Sequence, residues 1–451
     1  MTATGRVSRR LLVQGAGSAV GIVCAARYAW GTSGRRELSG THFDLEIGNL
    51  AVNFTGRPRL ATVVNGQLPA PLLPGRQGDL ITLRVTNRLP VRTSIHWHGL
   101  ILPANLDGAP GLSFDGIDAG ASFTYQFRAQ QSGTYWHHGH SRFQEQTGLY
   151  GLIVIEPAGG ERQAVDRDYV VLLSDWTDQD REHIFATLKR DSGYFNFGQR
   201  TVGDFFADVR AQDWRAALAD RRMWGQMRVN PTDLLDVSGY TYTYTYLMNG
   251  VTPAGNWTAQ FQRSERVRLR FINGSSMSFF DVRIPGLAMT VVAADGQDVA
   301  PVSVEEFRIG AAEVYDVIVE PAQDEPCTIF AQVMDGSGYA RGTLAPHPGM
   351  RASIPSMDPR PLLTMADMGM GEAMGSMHGM AHPSDGDNNP GVDMRVDTPD
   401  PRLDDPGVDL RENGRRVLTY ADLHTLGGSL DERPPRREIE LHLTGHMQRF
   451  M

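Results

Sequence analysis

Histidines are concentrated in one short part of this chain. Five of its 13 histidines lie between residues 96 and 140, in the groups IHWHG (95–99) and YWHHGH (135–140). Residues i and i+2 of a β-strand face the same side of a sheet. His96 and His98 are therefore predicted to project together, as are His138 and His140. By the same alternation, His137 points to the opposite face.

If the two histidine groups lie on neighbouring strands, four imidazoles converge. Neutral imidazole is the commonest metal ligand and suits zinc, copper, iron and nickel. The alternative is that these histidines cover the solvated face of a sheet. One His-X-His pair would favour that alternative, whereas two pairs within 45 residues favour a metal site.

A second group of candidate ligands is rich in methionine. It comprises Met365, Met368, Met370, Met374, Met377 and Met380, with His378 beside them. Thioethers are soft ligands that select Cu(I), and the intervening Gly and Ala residues would let several sulfurs close around one ion. Methionine also serves as core filler, but this segment offers few apolar partners. Capture of Cu(I) is the favoured hypothesis.

The elements that must position the histidines are predicted to be strands. In residues 41–160, short alternating runs separated by turn residues are clearest at 79–87, 122–127 and 151–155. In residues 161–346, similar runs occur at 169–173, 267–272, 289–292 and 315–319. A stretch at 203–226 reads as helical or irregular. Short strands without a long helical period predict an all-β chain of tandem sandwiches.

The remaining parts of the chain differ in composition. Residues 347–414 are rich in Pro, Gly, Asp and Met, which predicts a flexible linker. Strand-like runs return at 416–420 and 438–443 and predict that residues 415–451 begin a third sandwich. A sandwich needs about 100 residues, so this third unit is expected to be truncated.

The first 40 residues predict export. Arg9 and Arg10 form a twin-arginine pair, followed by a weakly apolar stretch at 13–26 that is too short and Gly-rich to span a membrane. We predict a leader at 1–40, a periplasmic protein exported by the twin-arginine route, and no membrane span after its removal. The alternative is an accidental Arg-Arg in a tail. A net charge of −9 without a basic stripe argues against nucleic-acid partners.

The histidine groups carry a resemblance to a known family. HWHG (96–99) and GTYWHHGH (133–140), followed by FQEQTGLYG (143–151), resemble the first two copper motifs of multicopper oxidases. With DGAPGL (107–112), the Met-rich stretch and LHLTGHM (441–447), they are similar to the bacterial periplasmic copper-resistance oxidases. The resemblance implies cupredoxin-like (plastocyanin-like) Greek-key sandwiches in tandem.

The resemblance also implies a role for each histidine, with copper as the cofactor. His96 would bind the type 2 copper, and His98, His138 and His140 would bind the type 3 pair. His137 stands where the family usually has an aromatic residue, and Gly139 where Ser is frequent. Alternation makes both of them non-ligand positions.

By the same resemblance, the reaction would couple one-electron oxidation of small reductants, Cu(I) or phenol-like donors, to reduction of dioxygen to water. The family's His-Pro-X-His-Leu-His and His-Cys-His motifs do not occur in these 451 residues. Cys327 has no flanking histidine and is predicted to be a buried structural thiol. We therefore expect a half site without the type 1 copper, inactive as this chain alone. The alternatives are a periplasmic copper-sequestering protein without turnover and a vestigial product.

Overall fold

The first sandwich includes strands in which every second side chain is buried. In β1 (His42–Val52), Phe43, Leu45 and Ile47 point inward while Asp44 and Glu46 stay exposed. The computed structural model describes residues 38–227, 229–232, 244–360, 362–364, 367, 402–428 and 433–439. The other strands of this sandwich are β2 (Arg59–Val64), β3 (Ala70–Arg76), β4 (Leu80–Asn87), β5 (His96–His98), β6 (Ser122–Arg128), β7 (Gly133–His138) and β8 (Tyr150–Glu156).

These strands form two four-stranded sheets with a shared apolar core. One sheet has the order β2-β1-β4-β6 and the other has the order β3-β8-β7-β5. The core between them includes Val85, Ile95, Trp97 and Tyr125, each completely buried. Burying a large apolar side chain contributes about 1.5–3 kcal/mol, so the core fixes the strands that carry the histidines.

The second sandwich is larger. Its sheets have the orders β10-β9-β12-β17-β14-β15 and β11-β19-β18-β13-β16. Their strands are β9 (Arg167–Thr177), β10 (Tyr244–Met248), β11 (Trp257–Gln260), β12 (Val267–Asn273), β13 (Phe280–Arg283), β14 (Met289–Ala294), β15 (Gln297–Val304), β16 (Glu306–Ile309), β17 (Val314–Val319), β18 (Cys327–Val333) and β19 (Tyr339–Ala345). The runs predicted for both sandwiches all lie on strands, which confirms the all-β class.

Between β9 and β10 the chain forms a helical insertion, as the sequence predicted for 203–226. Its helices are α1 (Arg181–Arg190), α2 (Val202–Ala211) and α3 (Trp214–Met227). The Asp180 carboxylate caps α1 by accepting from the backbone N–H of His183, and Thr201 with Asp204 forms a capping box on α2. Such caps satisfy backbone donors that have no partner inside the helix. Among the described residues, no helix combines the length and hydropathy needed to cross a bilayer.

The two sandwiches pack through the sheet that carries the histidines. Trp136 and Leu152 of the first sandwich contact an apolar cluster with Leu172 and Ile272 of the second. Beside it, the buried guanidinium of Arg270 donates to Asp168, to Asp316 and to Thr134 of the first sandwich at 2.7–3.0 Å. Burying charges is costly unless they are paired, so this cluster fixes how the sandwiches meet.

The chain after the second sandwich folds back onto it. Val417 forms a single parallel bridge with Glu306, Leu418 joins the apolar core, and Arg415 Nε donates to Glu306 at 2.7 Å. The strand predicted at 416–420 is therefore wrong, because its apolar residues pack on an existing core. Residues 420–422 form a short 3-10 helix instead.

Part of the predicted linker also lies against the second sandwich, where Asp358 pairs with Arg283 at 2.8 Å. Most of the strand predicted at 438–443 lies outside the described residues, and its first residues, 438 and 439, are not in a strand. The boundaries 347–414 and 415–451 stay predictions. The leader at 1–40 falls outside the described residues except for residues 38–40.

Candidate metal centre

Pairing of β5 with β7 brings the two histidine groups together. The strands are antiparallel, and His96 lies opposite His138, Trp97 opposite His137 and His98 opposite Trp136. Residues paired across a sheet project from the same face. Trp97 and His137 are buried in the core of the first sandwich, as alternation predicts.

The four candidate ligands converge on the other face of this sheet. His98 Nδ1 lies 3.2 Å from His138 Nε2. The ring of His140 lies 4.8 Å from that of His96 and 5.0 Å from that of His138, measured between centroids. One ring nitrogen from each of His96, His138 and His140 lies within 4.8 Å of the others. The convergence expected from the two His-X-His pairs is present.

Hydrogen bonds orient two of the four rings. His138 Nδ1 lies 2.7 Å from Glu145 Oε2. His96 Nδ1 lies 2.8 Å from the backbone oxygen of Asp107 and 3.3 Å from its carboxylate. An ionised carboxylate and a carbonyl only accept hydrogen bonds, so in the neutral rings both Nδ1 atoms carry the proton and both Nε2 atoms carry a lone pair that a metal can use. His98, by contrast, presents Nδ1 and not Nε2 to the ring of His138.

The close approach of Asp107 to His96 depends on a glycine. Gly108 has a φ of +81°, and a Cβ there would lie 1.8 Å from the backbone oxygen of Ile95. Only glycine adopts this conformation readily and leaves room for the neighbouring strand. Asp107 and Glu145 both stand inside the motifs that carry the family resemblance, but the sequence alone gave them no role.

Trp136 supports the imidazoles from beneath. Its indole stacks on the ring of His138 at 4.2 Å with an interplanar angle of 14°, and on the ring of His98 at 5.1 Å and 30°. Trp136 is itself buried against the second sandwich. Packing between the sandwiches therefore restricts both rings, which lowers the entropy lost when they bind a metal.

The electrostatics keep the rings of His98 and His140 neutral. Burial, which has the largest effect, and the neighbouring imidazoles of His138, His96 and His140 together lower the pKa of His98 to about 4. Burial also lowers the pKa of His140, with His138 and His96 acting in the same direction. A protonated imidazole has no lone pair for a metal, so low pKa values keep these ligands available at neutral pH.

The other predicted ligands lie elsewhere. The six methionines from Met365 to Met380 and His378 lie outside the described residues. Cys327 begins β18 in the second sandwich and is half-buried, rather than buried as predicted. Within the described residues, the centre is therefore an all-imidazole donor set, which fits copper, zinc, iron or nickel by its chemistry alone.

Comparison with known proteins decides between these metals. The family model described as multicopper oxidase matches residues 46–160, and a second model of that description matches 167–348. Copper resistance protein A of Pseudomonas syringae pv. tomato is 50% identical, covering 99% of this chain and 83% of the relative. Copper resistance protein A of Escherichia coli is 52% identical, covering 92% and 76% respectively. The chain belongs to the multicopper oxidase family.

Solved structures agree with this assignment. The laccase of Botrytis aclada is 26% identical with a TM-score of 0.54, covering 71% of this chain and 55% of the laccase. The blue copper oxidase of Nitrosomonas europaea is 23% identical with a TM-score of 0.50. The match covers 68% of this chain and 88% of that oxidase. These likenesses and the two sandwiches confirm the predicted cupredoxin-like architecture. This member of the multicopper oxidases is a copper-binding oxidase of the copper-resistance type.

Proposed function

We propose that His96, His98, His138 and His140 hold copper as the first-sandwich half of a trinuclear site. His96 serves the type 2 copper, and His98, His138 and His140 serve the type 3 pair. The observation that carries this proposal is the 3.2 Å approach of His98 Nδ1 to His138 Nε2. Two neutral imidazoles whose nitrogens lie this close can direct their lone pairs at one ion.

The chain's own residues prepare the ligands for that role. Glu145 and Asp107 hold the Nδ1 protons of His138 and His96, so each ring presents Nε2. Partners of this kind raise the basicity of a ligand and fix its orientation. Copper bound to these nitrogens would supply one-electron redox chemistry.

The reaction that fits these ligands couples one-electron oxidation of Cu(I) or phenol-like donors to the reduction of dioxygen to water. That reduction consumes four electrons and four protons, so it needs a route for single electrons. In the family, a copper site with a thiolate ligand provides this route. Within the described residues, Cys327 supplies a thiol in the second sandwich and none lies among the four histidines. A polypeptide limited to residues 1–451 should therefore bind copper without sustained turnover.

The first test is copper stoichiometry. Changing His98 and His138 together to Ala should remove most of the copper bound at the four histidines, because two of the four ligands and the nitrogen pair at 3.2 Å are lost. The matched control is His183→Ala, an exposed histidine on α1. An unchanged stoichiometry in the double variant, with a wild-type unfolding temperature, would contradict the proposed ligand set.

A second candidate function is sequestration of copper without turnover. It is favoured by the Met-rich segment, with Met365, Met368, Met370, Met374, Met377 and Met380 next to His378. Oxygen uptake with a phenolic donor and with Cu(I) separates the two functions. Replacing the six methionines by Leu should abolish extra Cu(I) binding and leave the four-histidine site intact. Equal Cu(I) binding after that replacement would leave the segment without a role in capture.

The proposal extends to location. Twin-arginine export through Arg9 and Arg10 would deliver a folded protein to the periplasm. Replacing both arginines by Lys should leave the protein in the cytoplasmic fraction. An unchanged distribution between the fractions would exclude this route.

A further inference from the structure

A cavity of about 270 Å³ lies beside the metal centre, where the loop after His140 meets the helical insertion of the second sandwich. Phe143 and Glu145 line it from the first sandwich, and Arg181, Ile184, Phe185 and Met277 line it from the second. Small-molecule sites occur preferentially in clefts between domains, with an apolar wall and few polar groups. We call it the Arg181 cavity.

Arg181 lines this cavity and has no bonded partner among the described residues. Its Nε and Nη2 atoms are shielded from solvent and lack a hydrogen-bond partner, and no hydrogen bond or ion pair joins its Nη1 atom to the described residues. Its guanidinium carbon lies 5.8 Å from the centre of the Trp176 ring. A partly buried charge without a bonded partner favours a ligand of opposite charge.

The acidic groups around Arg181 are engaged with other partners. Asp178 accepts hydrogen bonds from the Trp176 indole and the Thr55 hydroxyl. Asp180 accepts from the backbone N–H of His183 as the cap of α1. Glu145, inside the cavity, lies 2.7 Å from His138 Nδ1. The guanidinium is thus the charge in the cavity that still lacks a bonded partner.

The apolar part of the lining suits a flat ring. Phe143 and Phe185 meet edge to face at 5.4 Å between centroids, and the side chain of Ile184, also in the lining, is buried. Aromatic side chains favour edge-to-face or offset contacts with further rings. A cavity of about 150 Å³ is enough for benzene, so this one has room for a ring with a small substituent.

We propose that the Arg181 cavity binds a small aromatic carboxylate, with its carboxylate on Arg181 and its ring against Phe143 and Phe185. Since Nε and Nη2 are shielded, the carboxylate would bond to Arg181 through Nη1, by a charge-assisted hydrogen bond. An inorganic anion would leave the apolar wall uncovered, and a neutral aromatic molecule would leave the guanidinium unpaired. The cavity therefore favours a molecule that has both a carboxylate and an aromatic ring.

The test uses the full chain without copper, so its result does not depend on the proposed oxidase function. Sodium benzoate is titrated by calorimetry and by intrinsic tryptophan fluorescence, to which Trp176 beside Arg181 contributes. Benzyl alcohol, sodium acetate and sodium sulfate are the matched probes. Benzoate should bind at least tenfold more tightly than each of them. Equal affinity for benzyl alcohol, or tighter binding of sulfate, would overturn the proposal.

Variants locate the binding in this cavity. Arg181→Gln should weaken benzoate binding at least tenfold, and Phe185→Ala should weaken it by a smaller factor. Arg190→Gln, an exposed arginine on the same helix, should bind like the wild type. Wild-type affinity in a folded Arg181→Gln variant would refute the site. If that variant fails to fold, the comparison of benzoate with benzyl alcohol on the wild-type chain still decides the proposal.

Discussion

The hydrogen bond from His138 to Glu145 offers a direct test of how the metal centre is built. Glu145→Ala removes the carboxylate that lies 2.7 Å from His138 Nδ1. Loss of such a partner typically costs 10–100-fold in metal affinity, and a hydrogen bond to a charged group contributes about 1.5–3 kcal/mol. The Glu145 side chain is 24% exposed, so water can partly replace it. We therefore expect copper affinity to fall by about tenfold, the lower end of that range.

The measurement is competition for copper between the full chain and a chromophoric chelator. Glu145→Gln keeps an oxygen acceptor without the charge, and its affinity should lie between those of the wild type and Glu145→Ala. Glu46→Ala removes an exposed carboxylate from the other sheet of the same sandwich and serves as control. Unchanged copper affinity in Glu145→Ala, at a wild-type unfolding temperature, would show that Trp136 stacking alone orients His138.

Three further results are expected. Gly108→Ala should lower copper affinity and the unfolding temperature together, because its Cβ would meet the Ile95 oxygen; wild-type values for both would refute the argument. Arg270→Met should destabilise the chain by about 3–5 kcal/mol in denaturant titrations, since the buried carboxylates of Asp168 and Asp316 lose their ion pairs at 2.7 and 3.0 Å. Without copper, stability should fall as pH drops from 6.5 towards 4, because the folded state holds the pKa of His98 at about 4 and binds fewer protons than the unfolded chain. His98→Ala should make that fall shallower.

Much of the fold could be predicted because the signals are local. In the first sandwich, alternation of apolar and polar residues predicted β4 and β6, and a continuous apolar run predicted β8. Local runs of the same kinds predicted strands of the second sandwich. The strand prediction at 416–420 failed for a physical reason. Leu418 is buried in the core of the second sandwich, and Val417 bridges Glu306, more than a hundred positions earlier. A local sequence pattern carries no information about such distant partners.

The sequence by itself determined that His96 and His98 share one face, and that His137 turns away from the neighbouring His138. These relations follow from the two-residue period of a strand. Only the tertiary structure decided that β5 pairs with β7 in the register that sets His96 opposite His138. It also decided that Glu145 reaches His138, and that the loop after His140 meets Arg181. Such contacts depend on turns, on packing and on glycines such as Gly108. They form only when parts of the chain that are distant in sequence pack against each other.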